Sequence, residues 1–271
     1  MDAQGPQHVY LSPHLDDVVL SCGGTIYRQV RAGERVLVVT FFAGSPEDDS
    51  LTAFARDLKA RWGGAEDPVA VRRREDLAAL AVLGAEGLHL PFLDCVYRQD
   101  PRTGEALYPQ EESIFGEVHP AEAGWHRELL AALEARVGSL DGAKMYAPLT
   151  VGHHVDHILV QRLAFALLRR GAQVLFYEDY PYAGDTQAVE AVLRTWPELC
   201  WSSETLFFSE EALRAKQEAI ARHASQISTF WANLEDMRRA VRAQALRVGG
   251  AGYAERFWWI RSGCLPAEES C

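Results

Sequence analysis

The sequence predicts an α/β fold: a mostly parallel, Rossmann-like sheet with helices on both faces and a site at the carboxyl ends of the strands. Three observations carry this. Short apolar, β-branched runs alternate with stretches of helical period along the first two thirds of the chain. Glycines stand where those helices should stop. Two clusters of His and Asp follow directly on two of the strands. Strands separated by helices form right-handed βαβ units, and ligands of open sheets bind at the strands' carboxyl ends.

The elements follow in order. His8 to Ser12 is a short apolar strand. Gly23-Gly24 reads as a small-residue turn for close packing, and Thr25 to Ala32 as a helix stopped by Gly33. Val36 to Phe42 is apolar on both faces, as a buried parallel strand is. Val69 to Leu83 has helical spacing and ends at Gly84. Leu88 to Leu90 is a third strand, Trp125 to Val137 a helix, and Lys144 to Pro148 a fourth strand. Asp156 to Arg170 is a helix ending at Gly171, and Val174 to Tyr177 a fifth strand. From Glu210 to about Arg247 the chain reads as mostly helical, and Phe257-Trp258-Trp259 as C-terminal core.

Two stretches break the rhythm, at 45–67, with a helical patch over Phe54 to Arg61, and at 98–120. Connections of that length serve as lids or substrate loops, or are plain surface insertions. With no repeat and no linker, residues 1–271 read as one domain carrying these two insertions.

Composition bounds the function. The 271 residues carry 27 Lys and Arg against 38 Asp and Glu, a net charge of −11. A nucleic-acid binder needs a basic surface, so that partner is excluded. No apolar run approaches the roughly 20 residues of a membrane span. Met1 to Pro6 lacks the basic flank and apolar stretch of a secretory leader, and the five cysteines are odd in number and scattered. Both features predict reduced thiols and a cytoplasmic location. A homo-oligomer is compatible with all of this.

The chemistry concentrates in two loops. After the first strand comes Pro13-His14-Leu15-Asp16-Asp17, and after the fourth Gly152-His153-His154-Val155-Asp156-His157. Imidazole and carboxylate suit a borderline divalent ion such as zinc. His14 and Asp17 are three apart in a tight turn, and His154 and His157 three apart at a helix start, so each pair can converge. Asp16 and Asp156 exceed what one ion needs and are available as base, acid or support. Each cluster alone also reads as a helix cap or a solvated loop. A serine-hydrolase elbow, a dinucleotide fingerprint and a Walker sequence are absent. Trp62 and Tyr97, in the long loops, are candidates for stacking on a sugar.

Pro13-His14-Leu15-Asp16-Asp17 followed by Gly23-Gly24-Thr25 resembles the first motif of the PIG-L/LmbE-like family of zinc-dependent de-N-acetylases. His154-Val155-Asp156-His157 resembles its second. Weaker similarities run through Arg72 to Glu75, Asp94, Lys216 to Gln226 and Glu255 to Trp258. The resemblance implies one Zn2+ held by His14, Asp17 and His157, with Fe2+ or another divalent ion as an alternative. It implies Asp16 as general base, His154 as the group that polarises or protonates the reacting centre, and Asp156 as the residue orienting His154. Arg72, or Arg73 one position on, and Asp94 would hold the sugar. The implied reaction is removal of acetyl from a small-molecule N-acetyl sugar conjugate.

The chain departs from the family pattern at four positions. Leu15 replaces the usual Pro, and Val18 stands where many members carry Glu. Gly152 stands where some carry a Tyr that helps the oxyanion, so that donor must come from elsewhere or be missing. His153 is an extra histidine, read as facing solvent. Lys216, His223 and Gln226 read as structural or as buttresses of the site. Rival readings are a metal-binding sugar-binding protein without turnover and a non-haem Fe(II) enzyme.

Overall fold

A computed structural model describes residues 5–46, 51–61, 67–261 and 264. Trp62 lies outside them. Among the described residues, seven strands form one sheet in the order β3-β2-β1-β4-β5-β7-β6. They are β1 (His8–Ser12), β2 (Val36–Thr40), β3 (Glu86–His89), β4 (Lys144–Pro148), β5 (Gln173–Tyr177), β6 (Trp201–Phe208) and β7 (Tyr253–Ile260). The first five pair in parallel, and β7 pairs antiparallel with both β5 and β6. The sheet is therefore mostly parallel, as predicted.

The helices are α1 (Asp17–Arg31), α2 (Ala53–Arg61), α3 (Pro68–Leu83), α4 (Trp125–Val137), α5 (Val155–Arg169), α6 (Thr186–Thr195), α7 (Glu210–Ala221), α8 (Ala224–Phe230) and α9 (Leu234–Gly249). Side-chain alternation on β1 divides the core. Val9 and Leu11 face α4, α5 and α6, through Leu129, Leu133, Leu159, Leu163 and Val189. Tyr10 faces α1, α3, α7 and α9, through Val19, Ile26, Leu80, Leu213 and Met237. A third apolar cluster, with Leu15, Val69, Tyr108, Ile114 and Val155, closes over the carboxyl ends of the strands.

The structure corrects the sequence reading in three places. Gly23-Gly24 is not a turn but lies inside α1, which starts at Asp17. The glycines are there because the partners come close: a Cβ on Gly23 would lie 2.9 Å from Lys216 Cγ, and one on Gly24 2.6 Å from the Phe208 ring. Lys216 pairs with buried Glu255 at 2.6 Å, which anchors α7 to β7 beneath α1. Second, the sequence reading names no element at α6, β6 or β7, although α6 has helical spacing that buries Val189 and Val192. The two strands extend the sheet at its last edge, β7 pairing with β5 and β6 pairing with β7.

Third, the cysteines are not all reduced. Cys200 and Cys264 are joined as a disulfide, with Cα atoms 5.7 Å apart. Trp201 pairs with Ile260, so the residues flanking those strand ends become neighbours despite 64 residues of separation. Cys22 and Cys95 are free and buried.

The insertions are not idle surface. Phe54 and Leu58 on α2, and Glu111, Ile114 and Phe115 in the second stretch, line the cavity above the strand ends.

Candidate active site

The first loop leaves β1 at Ser12, whose Oγ donates to His14 O at 2.7 Å. The His14 N–H then donates to Asp17 Oδ2 at 2.8 Å, holding both residues of the turn in one place. His14 Nδ1 lies 3.2 Å, and His157 Nε2 3.3 Å, from that same Asp17 oxygen. Ring nitrogens of His14, His154 and His157 all fall within 4.8 Å of one another. The loops after β1 and β4 thus converge, because their strands are hydrogen-bonded neighbours.

Two of these histidines, His14 and His157, are held from behind. His14 Nε2 meets Asp156 Oδ2 at 3.0 Å, and His157 Nδ1 meets Asp179 Oδ1 at 2.7 Å. Carboxylates on the far nitrogen orient metal-binding imidazoles and raise their basicity. Asp156 also accepts from Cys95 N–H at 3.1 Å and from Arg98 at 2.5 Å. Asp179 also accepts from Val151 N–H at 2.9 Å. This donor set, two oriented imidazoles and a carboxylate facing a cavity, fits a zinc-type ion with room left for substrate or water.

The electrostatics agree with a place built for positive charge. Burial works against a charge on His14, but Asp156 and Asp17 outweigh it and raise its pKa well above the usual value. His157, likewise buried, is raised by Asp17 and Asp179 to about 9. Against its own burial, Asp17 is held well below the carboxylate range by His157 and His14. The Arg98 guanidinium, buried among Phe42, Tyr108 and Trp125, overcomes burial to keep Asp156 ionised.

The remaining predicted residues lie around this point. Asp16 is buried beside Arg72, with Oδ1 3.7 Å from the guanidinium. Burial raises its pKa to about 7, opposed by Arg72 and aided by Asp17. His154 caps α5, and its Nδ1 accepts the Asp156 N–H at 3.2 Å. In the neutral ring the proton is then on Nε2, which lies within hydrogen-bond reach of Cys95 Sγ at 3.9 Å. Burial, then the charge on His14, lowers the His154 pKa well below its usual value. The implied pairing of Asp156 with His154 is met only through this backbone N–H, since the Asp156 carboxylate contacts His14, Cys95 N–H and Arg98.

Asp94 caps a short turn through Val96 N–H, and its Oδ2 lies 3.8 Å from His14 Nε2. Asp94, Arg72 and Gln226 line the cavity, of about 340 Å3, with Asp16, Asp17, His14, His154 and His157. Arg73 instead donates to Ala43 O, at 2.7 Å. Tyr97 packs into the third apolar cluster and is not part of the lining. His153 is exposed, and Val18 and Leu15 are core residues.

Sequence reasoning passed over Asp179, Arg98 and Tyr182. Asp179 had a signal, since Glu178-Asp179 follows β5 as the two motifs follow β1 and β4. Arg98 and Tyr182 had none.

The profile of the PIG-L family, GlcNAc-PI de-N-acetylase, matches residues 9–168. Two relatives named 2'-N-acetylparomamine deacetylase are similar. The one from Niallia circulans is 31% identical over 64% of this chain and 66% of its own. The one from Streptomyces fradiae is 33% identical over 66% of this chain and 59% of its own. The chain thus spans less than two thirds of either relative's length. A solved deacetylase from the teicoplanin biosynthesis pathway superposes with a TM-score of 0.78 at 25% identity, covering 94% of this chain and 98% of that one.

Proposed function

The chain belongs to the PIG-L de-N-acetylase family, and from that premise we propose that it is a metal-dependent hydrolase removing the acetyl group from an N-acetylated amino sugar. The observation that carries this is Asp16, a buried carboxylate with a pKa near neutrality beside the convergence of His14, Asp17 and His157.

His14, Asp17 and His157 would hold the ion, zinc being the one the donors suit, with Fe2+ as the alternative. When bound, such an ion supplies Lewis acidity and lowers the pKa of a water toward about 7. Asp16 takes the proton as water attacks the acetyl carbonyl, and returns it to the nitrogen as the C–N bond breaks. A base poised near the working pH suits both transfers. Arg72, 3.7 Å away, restrains the Asp16 carboxylate. His154 stays neutral and presents Nε2–H, a donor for the oxygen that gains charge. Acetate and the free amine leave.

The substrate class is a small N-acetyl sugar conjugate. Both curated relatives are named for deacetylation of 2'-N-acetylparomamine, and the solved relative is a deacetylase of the teicoplanin biosynthesis pathway. Arg72 and Asp94 on the polar side of the cavity suit the sugar. Phe54, Leu58, Phe115 and Phe230 suit what is attached to it.

The test is amine release from a panel of N-acetylglucosaminyl conjugates and N-acetylated aminoglycosides, with metal content measured alongside. Asp16→Asn should keep its metal and lose about 100- to 10,000-fold in kcat. His14→Ala should lose the metal. Near-normal turnover in Asp16→Asn, or tight metal binding with no amine released from any conjugate, would overturn the reading.

A further inference from the structure

Tyr182 occupies a place that no motif marks. It opens a short turn, Tyr182–Gly184, after β5. Its ring lies over Gly152, where a Cβ would come within 2.9 Å of Tyr182 Cγ. Gly152 also holds a φ of +95°. Two independent demands therefore keep a side chain off position 152, and the space is given to the tyrosine.

The ring and the turn that carries it are held from several sides. Ala183 N–H donates to Asp179 O at 2.8 Å, and Asp179 Oδ1 meets His157 Nδ1 at 2.7 Å, so the turn and the metal-binding histidine share one anchor. Phe115 packs edge-on against Tyr182, with ring centroids 6.1 Å apart, and against His154 at 5.5 Å. Tyr182 lines the cavity together with Asp16, Asp17 and His154. Its hydroxyl has no hydrogen-bond partner among the described residues. Burial, then the carboxylates of Asp17 and Asp16, push its pKa up, so the O–H remains a donor at any working pH.

We propose that Tyr182 is a catalytic hydrogen-bond donor, its hydroxyl donating to the acetyl oxygen as that oxygen gains charge during hydrolysis. The proton stays on the tyrosine throughout, and the bond strengthens only as the carbonyl becomes an oxyanion. This rests on the hydrolase reading above.

Tyr182→Phe is the test, because it keeps the ring on Gly152 and Phe115 and removes only the hydroxyl. Loss of one such donor should lower kcat about 100-fold while KM moves less than about twofold. Binding of a tetrahedral phosphonate analogue of the acetylated sugar should weaken by about the same factor, with affinity for the free amine product unchanged. A kcat within about threefold of wild type, or equal weakening toward analogue and product, would overturn the assignment. If wild type hydrolyses no conjugate, the hydrolase reading fails instead. The analogue-to-product comparison still reports on the hydroxyl.

Discussion

Asp179 touches neither substrate nor ion in this reading, yet two parts of the site depend on it. It holds His157 at 2.7 Å and the Val151 N–H at 2.9 Å. Asp179→Asn should keep the shape and lose the charge, weakening metal affinity about 10- to 100-fold, as measured by chelator competition. His223 sets a different expectation. It is buried, and both ring nitrogens lack a partner among the described residues. Burial lowers its pKa, against the pull of Asp76, with Arg72 also lowering it and Glu75 opposing. The folded protein thus keeps the ring neutral while the unfolded chain takes up a proton below about 6.5. The unfolded state then binds more protons, so stability rises with pH below that value and is unaffected above it. Urea midpoints measured at about pH 5 and 7 should show a drop on acidification that His223→Gln partly removes. At this scale the motifs were legible because their ligands must sit at fixed spacing on one turn. Asp179, Arg98 and Tyr182 were not, because each reaches the site from a segment that only the fold brings near.

Helix α1 shows how an element's composition can mislead. Two consecutive glycines lower helix propensity and read as a turn, yet the helix runs through them because α7 and Phe208 pack where side chains would be. Gly24→Val would drive its side chain into the Phe208 ring, and overpacking of this kind should cost about 2 kcal/mol or more in urea unfolding. Strands β6 and β7 mislead in the other direction. Trp201 to Phe208 mixes aromatic and polar residues, because one edge of β6 is open and its faces are only half covered. Such a strand exists through its pairing with β7, and pairing leaves little local trace. Helices α4 and α5 and strands β1 and β4, by contrast, lie within a residue of their predicted bounds. Their apolar spacing and terminal Gly or Pro are local signals.

Across the whole molecule, the disulfide and the two insertions connect distant parts of the chain. Cys200–Cys264 ties the entry of β6 to the exit of β7. A bridge closing a loop of this length contributes on the order of 2–5 kcal/mol. Removing two of five cysteines from the titratable set leaves three. Thiol labelling of the unfolded, unreduced chain should therefore find three sites, and five after reduction. The second insertion buries Tyr108 and Ile114 and brings Arg98 to Asp156, so it is part of the site's support as well as its wall.

The mostly parallel α/β frame, the two loops that bear His14, Asp16, Asp17, His154, Asp156 and His157, and the family they resemble are all legible along the chain. These are local matters of period, turn and spacing. That Asp156 serves His14, that Asp179 and Arg98 complete the support, that Tyr182 fills the space above Gly152 and that two cysteines join emerge only in the folded chain. Each of those depends on which strands become neighbours. That is settled by the burial of whole faces and by pairing across the sheet, not by any stretch of chain read alone.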